Sequence, residues 1–148
     1  MADVSAQKIF ARYLRKQGKK IGAQDEAMIW GFKAEPEFQA QVVDIFASTK
    51  DDIKGHSGAR VVLESQPKLA KTMTGKTEAK EIAKLGRNGL VFIPNADHWQ
   101  QPALVSVALQ AAHQGGRAII GFSDESRLCM SIYHWLVTYE CDGENLER

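Results

Sequence analysis

Three short, unbroken apolar runs constrain this chain most: Val61–Leu63, Leu90–Ile93 and Ala118–Phe122. Each is too short to be a helix of its own, and each is bounded by breakers. Gly58 precedes the first, Pro94 stops the second, and Gly115-Gly116 stands ahead of the third. Strands that are apolar at every position are buried on both faces, as in a parallel sheet between two layers of helices. The intervening stretches carry helical signals. Thr77 is placed to cap a helix running to Leu85, with Gly86 past its end. Pro102 opens a helix whose Leu104, Val105, Val107, Ala108, Leu109, Ala111 and Ala112 go almost all the way round, so it is expected to be covered on more than one side. Residues 66–77 read as a mobile basic loop or a weakly formed helix. From Arg60 onward the order is therefore β-α-β-α-β-α. The tail fits a short helix from about Asp124 and then a strand from about Tyr133 to Cys141, with one long helix as the competing reading. The closing GENLER reads as frayed.

The first sixty residues read as helical. Ala6, Ile9, Phe10, Tyr13 and Leu14 recur at helical spacing, with Ser5 to cap the start and Gly18 to end it. Asp25–Phe32 reads as a short second helix, with Asp25 and Glu26 suited to its N-terminus. Pro36 suits the first turn of a third, striped by Phe38, Val42, Ile45, Phe46 and Thr49 down to about Ile53. The expected fold class is α/β in a single domain, 1–148. A helical N-terminal segment, 1–59, precedes a small Rossmann-like parallel sheet, 60–148, with helices on both faces. No repeat or low-complexity tract interrupts it.

With 148 residues, 44% hydrophobic and 25% charged, the composition is that of a globular protein with a proper core. The formal charge of +1 excludes a histone-like polycation and an acidic disordered tail. Cys129 and Cys141 form no CxxC pair, so a reducing, cytoplasmic setting is expected. The start has no apolar core of signal-peptide length, and the longest near-apolar stretch, Pro102–Ala112, is too short to span a membrane. The total charge hides a pattern: residues 1–20 carry net +5, 21–59 net −4, 60–87 net +4 and 88–148 net −4. Basic patches attract phosphates whatever the total, because the field falls off within a Debye length.

In an open parallel sheet, ligands bind beyond the C-terminal ends of the strands. Three loops would gather there: Glu64, Ser65, Gln66 and Lys68; Asn95, Asp97 and His98; Ser123, Asp124, Glu125 and Ser126. Carboxylates gathered with open positions are the usual Mg²⁺ site, since hard cations take oxygen ligands and keep several waters. Glu64, Asp97 and Asp124 are the candidate metal ligands, with Lys68, Lys71 and Lys76 beside them to hold a phosphate. The competing reading is that these are ordinary loop residues, or helix caps in the case of Ser123 and Asp124.

The segment RVVLESQPKLAKTM, Arg60–Met73, resembles the opening of a Toprim domain, most of all that of type IA topoisomerases. An apolar strand ends in a glutamate, followed by a small residue, a proline and a Lys-rich run. RAIIGFSDES, Arg117–Ser126, resembles the second motif of that domain, an apolar strand ending in two aspartates one residue apart. The resemblance covers about ninety residues and implies that Glu64 acts in acid/base chemistry. It also implies that Asp124 holds Mg²⁺ during phosphodiester transfer. The chain departs from the pattern at three places. Ser126 stands where the second aspartate belongs, Gln66 is inserted ahead of the proline, and Ser65 replaces a frequent glycine. The missing ligand implies a protein that binds but no longer cuts.

Other motifs are weaker. Ala70–Thr77 satisfies a relaxed P-loop pattern with alanine for the first glycine, but the residues before it do not read as a strand. Asp51 or Asp52 followed by Glu64-Ser65-Gln66 faintly matches a restriction-nuclease core, without its lysine. His56, His98, His113 and His134 give no zinc spacing, though His98, between Asp97 and Trp99, is the best placed for a site. The basic face of the first helix suits either a nucleic-acid backbone or an acidic protein surface. Three readings follow. One is binding or processing of nucleic acid or nucleotide phosphate at the sheet edge. Another is a non-catalytic interaction module that meets a protein partner through charged faces, and the third is a metal-free small-ligand pocket.

Overall fold

The computed structural model describes residue 12 and residues 29–46, 58–71, 73, 77–86, 88–134, 136–141 and 146–147. The elements, in chain order, are β1 (Ile29–Lys33), α1 (Pro36–Phe46), β2 (Arg60–Val62), β3 (Leu69–Lys71), β4 (Thr77–Ala79), α2 (Lys80–Ala83), β5 (Leu90–Ile93), α3 (Gln101–His113), β6 (Arg117–Phe122), α4 (Met130–His134), β7 (Leu136–Cys141) and β8 (Leu146–Glu147). Single 3-10 turns, Ala96–His98 and Glu125–Arg127, follow β5 and β6. The main sheet has the order β2-β5-β6-β1-β7-β8. Its first five strands run parallel, and only β8 pairs antiparallel. The α/β class with a parallel sheet and helices on both faces stands as read.

Strand alternation divides the core in two. Trp30, Phe32, Leu90, Phe92 and Ile119 face α1, whose Val42, Ile45 and Phe46 pack on them. Ile29, Val91, Ile93, Ala118, Ile120 and Phe122 face the other way, toward α3 with its Leu104, Val107 and Ala111. Fully burying such a side chain stabilises by about 1.5–3 kcal/mol, so α1 is held chiefly by its three-residue stripe. Pro36 opens α1, where its missing N–H costs nothing. The α3 helix is covered on a second side too, because Ala79, Ile82 and Leu85 from β4, α2 and the turn after it join the same cluster. At the N-terminal ends of β6 and β2, the guanidinium of Arg117 lies 5.1 Å above the Trp30 ring and that of Arg60 lies 5.8 Å above Phe46.

The topology obeys the right-handed crossover rule. From β1 the chain passes β6 and β5 to reach β2, with α1 on one face. It then returns through β5 and β6 and beyond β1 to β7, with α2, α3 and α4 on the opposite face. Reversing direction requires changing face if every crossover is to stay right-handed. The loop after β1 therefore leaves to one side and the loop after its neighbour β6 to the other, which puts the topological switch point of the sheet between them.

Four expectations need correction. The short helix over Asp25–Phe32 is instead the strand β1 from residue 29 onward, so the α/β core begins well before residue 60. A four-residue apolar stretch, Ile29–Phe32, buried on both faces has no period that separates strand from helix, and Gly31 within it disfavours a helix. Residues 66–77 are not a free loop: Leu69–Lys71 pairs antiparallel with Thr77–Ala79. Thr77 is accordingly in a strand, and α2 starts three residues later with Ala79 before it and no side-chain cap. The closing residues are not wholly frayed, since Leu146–Glu147 pairs with β7. The first helix lies outside the described residues except for Arg12, which is helical and exposed. Among the described residues, no helix is long and apolar enough to cross a membrane.

Gln39 ties the edge together. Fully buried on α1, it donates to the Ala34 carbonyl at 2.8 Å and accepts from the Asn95 amide at 2.8 Å, joining the loops after β1 and β5. It fits only because residue 121 is glycine: a Cβ there would sit 2.6 Å from Gln39 Oε1. Gln39→Leu keeps the volume but strands both backbone groups. It should cost about 2–4 kcal/mol, which lowers Tm by roughly 5–15 °C in a protein of this size. Urea and thermal unfolding check this, and Gly121→Ala should fall in the same direction.

Candidate functional site

Parallel pairing places the ends of β2, β5 and β6 on one edge, so the three loops anticipated from the sequence do share it. Hydrogen bonds join them. Gln66 Oε1 accepts from the Gln100 amide at 2.9 Å, linking the first loop to the second. Asp97 Oδ2 accepts from the Asp124 amide at 3.1 Å and from Ser123 Oγ at 3.5 Å, linking the second to the third. Arg127 Nη1 lies 3.3 Å from His98 Nδ1. Gln101 Oε1 accepts from the Cys129 amide at 3.0 Å.

Asp97 reaches its place because Asn95 takes a left-handed turn, φ 52°, that starts the 3-10 turn after Pro94. Asparagine tolerates that conformation better than most residues. The Asp97 side chain is 4% exposed. Its Oδ1 is buried with no hydrogen-bond partner among the described residues.

Asp124 sits differently. It is exposed and precedes the turn Glu125–Arg127, and its Oδ1 accepts from the Ser126 amide at 3.1 Å and from Ser126 Oγ. Its Oδ2 stands 3.7 Å from Arg127 Nε. The Ser126 hydroxyl, then the Ser126 amide, then Arg127 and Lys33 hold its carboxyl below the ordinary range. Ser126, at the position where the Toprim resemblance expects an aspartate, is thus the donor that Asp124 caps. The capping role anticipated for Asp124 is its observed one. Glu64 is exposed on the same edge and takes no part in the bonded network among the described residues. It follows β2, which is separated from β6 by β5, an offset of about 10 Å at ordinary strand spacing. Among the described residues, no group of three or more His, Cys, Asp or Glu is assembled to hold a metal ion. Asp124 is turned to its own cap and Asp97 to the neighbouring loop, so the two are not presented together with Glu64 as a donor set for Mg²⁺.

Sequence reasoning missed the polar cluster beside this edge. Lys33 Nζ stands 3.3 Å from Glu125 Oε1, and Tyr133 Oη donates to Glu125 Oε2 at 2.6 Å. The Tyr133 hydroxyl, then Lys33, hold the Glu125 carboxyl below its ordinary value, and Glu125 in turn raises the Tyr133 phenol. Reading Ile29–Lys33 as a strand would have placed Lys33 at the edge; Gln39 left no signal except Gly121 inside a buried strand, a mark of close approach.

Lys68 is exposed just ahead of β3, Lys71 ends β3, and Lys76 falls outside the described residues. The relaxed P-loop match, Ala70–Thr77, runs from β3 into β4 and not from a strand into a helix, so it is not a phosphate cradle of that kind. Asp51, Asp52 and His56 lie outside the described residues. A concavity of about 560 Å³ lined by Gly86, Asn88, His113, Gln114 and Gly115 opens at the opposite, N-terminal edge, away from every carboxylate candidate.

No family model matches the chain, and no curated protein matches it. The likeness of Arg60–Met73 and Arg117–Ser126 to Toprim motifs rests on those residues alone.

Because Glu125 is held low in the folded protein, its contribution to stability is present above its ordinary value near 4.5 and is lost as pH falls through its lowered value. Tyr133→Phe removes the main cause. NMR titration of the Glu125 carboxyl should show its midpoint move upward in that variant. The stability gap between the two proteins should be present at pH 7 and closed in strong acid.

Proposed function

We propose that this protein binds nucleic acid through its phosphates, using the β3–β4 ribbon, and that it does so without cutting. The observation that carries the reading is the ribbon itself. The register Leu69↔Ala79, Ala70↔Glu78 and Lys71↔Thr77 makes a two-stranded ribbon from the two ends of a stretch, Ser65 to Thr77, with three lysines and no acid. A two-stranded ribbon is one of the shapes that a duplex groove admits. The root is fixed, since Gln110 on α3 accepts from the Ala79 amide at 2.8 Å and donates to its carbonyl at 3.0 Å. The exposed Lys80 and Lys84 of α2 continue the basic surface. Residues 65–87 hold six basic and two acidic side chains, while the whole chain is at +1.

The edge supports binding over cleavage. Asp124 and Glu125 are both held ionised and Tyr133 is held protonated, so none of the three is poised to exchange a proton near neutrality. One feature favours the interaction-module reading instead: Met130 and Tyr133, one helical turn apart on α4, are 84% and 47% exposed.

Each phosphate neutralised contributes a slope of about −0.9 in log K against log salt on duplex DNA. Three to five contacts therefore predict a loss of about 40- to 500-fold in affinity between 50 and 200 mM salt. Substituting Lys68, Lys71 and Lys76 together by alanine should flatten the slope by about 2.7. Fluorescence anisotropy with labelled oligonucleotides measures both. Absence of binding at low salt, or an unchanged slope in the triple variant, would overturn the reading. So would strand scission that Glu64→Ala or Asp124→Ala abolishes.

A further inference from the structure

We infer that Lys33 and Tyr133 form a binding site, at the switch point of the sheet, for a carboxylate attached to an apolar body, and that Glu125 occupies this site from within until such a ligand displaces it. The site is independent of the ribbon, so it stands or falls apart from the nucleic-acid reading. Lys33 is the last residue of β1 and lies in register with Phe122, the last residue of β6. The loops after these two strands leave on opposite faces, and open parallel sheets bind their ligands beyond such a point.

Two donors from separate elements meet there on one carboxylate. Lys33 Nζ donates to Glu125 Oε1 at 3.3 Å, and Tyr133 Oη on α4 donates to Glu125 Oε2 at 2.6 Å. Each oxygen has its own donor, as in a bound carboxylate. Hydrogen bonding to Glu125 raises the Tyr133 phenol, so Tyr133 stays a donor at neutral pH. The other bonded carboxylates of the edge serve the backbone: Asp97 accepts from the Asp124 amide, and Asp124 from the Ser126 amide. Among the described residues, the Glu125 carboxylate takes side-chain donors only. Withdrawing it strands no backbone group, and an ion pair this open to solvent parts at little cost.

The chemistry of the site selects its ligand. Two donors match the two oxygens of a carboxylate, and one ammonium balances one negative charge. A phosphate dianion would bring a further charge beside Asp124, whose own charge already works against that of Glu125. Met130 stands one helical turn before Tyr133 on α4, and both side chains are exposed. They offer apolar surface to the body of the ligand next to its charged end. A small apolar acid and the C-terminal residue of a peptide share this chemistry.

The test uses the full chain and follows the Tyr133 ring and Lys33 Cε signals by NMR. The probes are benzoate, acetate, inorganic phosphate, and a short peptide ending in leucine, as free acid and as amide. Benzoate should shift both signals of the wild type at about 1–10 mM, ahead of acetate and phosphate. Glu125→Ala should bind benzoate about tenfold more tightly, because the competing carboxylate is gone. Lys33→Met or Tyr133→Phe, added to Glu125→Ala, should each remove that gain. Tighter binding of the free-acid peptide than of benzoate assigns the site to a chain terminus, the reverse assigns it to a small acid, and both support a carboxylate site. Equal binding of the acid and amide peptides, or a preference for phosphate, overturns the ligand class. Wild-type signals that move with no probe overturn the displacement of Glu125. Benzoate binding to Glu125→Ala that persists through Lys33→Met and Tyr133→Phe marks an adventitious additive only and overturns the site.

Discussion

The structure depends on the insertion of β1 between β6 and β7. The strand pairs parallel with both neighbours along its whole length, Ile29 to Lys33. Without it β7 has no parallel neighbour, and α1 loses Trp30 and Phe32, the aromatic part of the surface it covers. Its position also decides where the switch point of the sheet falls. A chain that starts in the middle of a sheet must travel out along one face and return along the other, and the strand where it started then borders a neighbour whose loop leaves the opposite way. The edge between β1 and β6 follows from this handedness and not from any particular side chain.

Specific side chains then close that edge. Gln39 bridges Ala34 and Asn95, Asp97 bridges to Asp124, and Gln66 and Gln101 hold the flanking loops. Each bond satisfies a backbone group that the strand ends would otherwise leave open. Asp124 completes its own turn, and Glu125 is taken up by Lys33 and Tyr133. An edge whose polar groups serve its own backbone is rigid, and few of its oxygens remain to meet a cation. Asp97 Oδ1, buried without a hydrogen-bond partner among the described residues, is enclosed.

The parts of this fold that were legible in the sequence share one property. Leu90–Ile93, Arg117–Phe122 and Arg60–Val62 are short, rich in branched or aromatic residues, and fenced by glycine or proline, so length and boundary chemistry decide the assignment. The helix after Pro102 announces itself by its proline and its length. β1 was not legible because Asp25 and Glu26 mimic a helix start and the apolar run is too short to have a period. The ribbon was not legible for a different reason. Its strands read LAK and TEA, and alanine, lysine and glutamate are depleted in strands. Their pairing is imposed by tertiary contacts, with Gln110 gripping Ala79 and the core accepting Leu69. The edge itself followed from the topology rule, since three parallel strand ends must share a side. What no rule supplied was the use of each carboxylate, because whether Asp124 caps a turn or ligates an ion depends on a hydroxyl two residues away.

The near-zero net charge acquires a physical meaning in this arrangement. On the proposed reading, a duplex approaching the molecule would sense charges within about a Debye length, some 8 Å at physiological ionic strength, and not the sum over the chain. Beside the ribbon and along α2 it would meet the exposed Lys68, Lys80 and Lys84. Over the sheet edge it meets the exposed carboxylates of Glu64 and Asp124. Repulsion at the edge costs a misplaced phosphate backbone as surely as attraction at the ribbon rewards a correct one, and specificity is the difference between the two. On the proposed reading, the acidic edge would orient a ligand held at the ribbon by repelling it from the carboxylates. A chain with the same lysines but a neutral edge would bind phosphate as tightly and orient it less well.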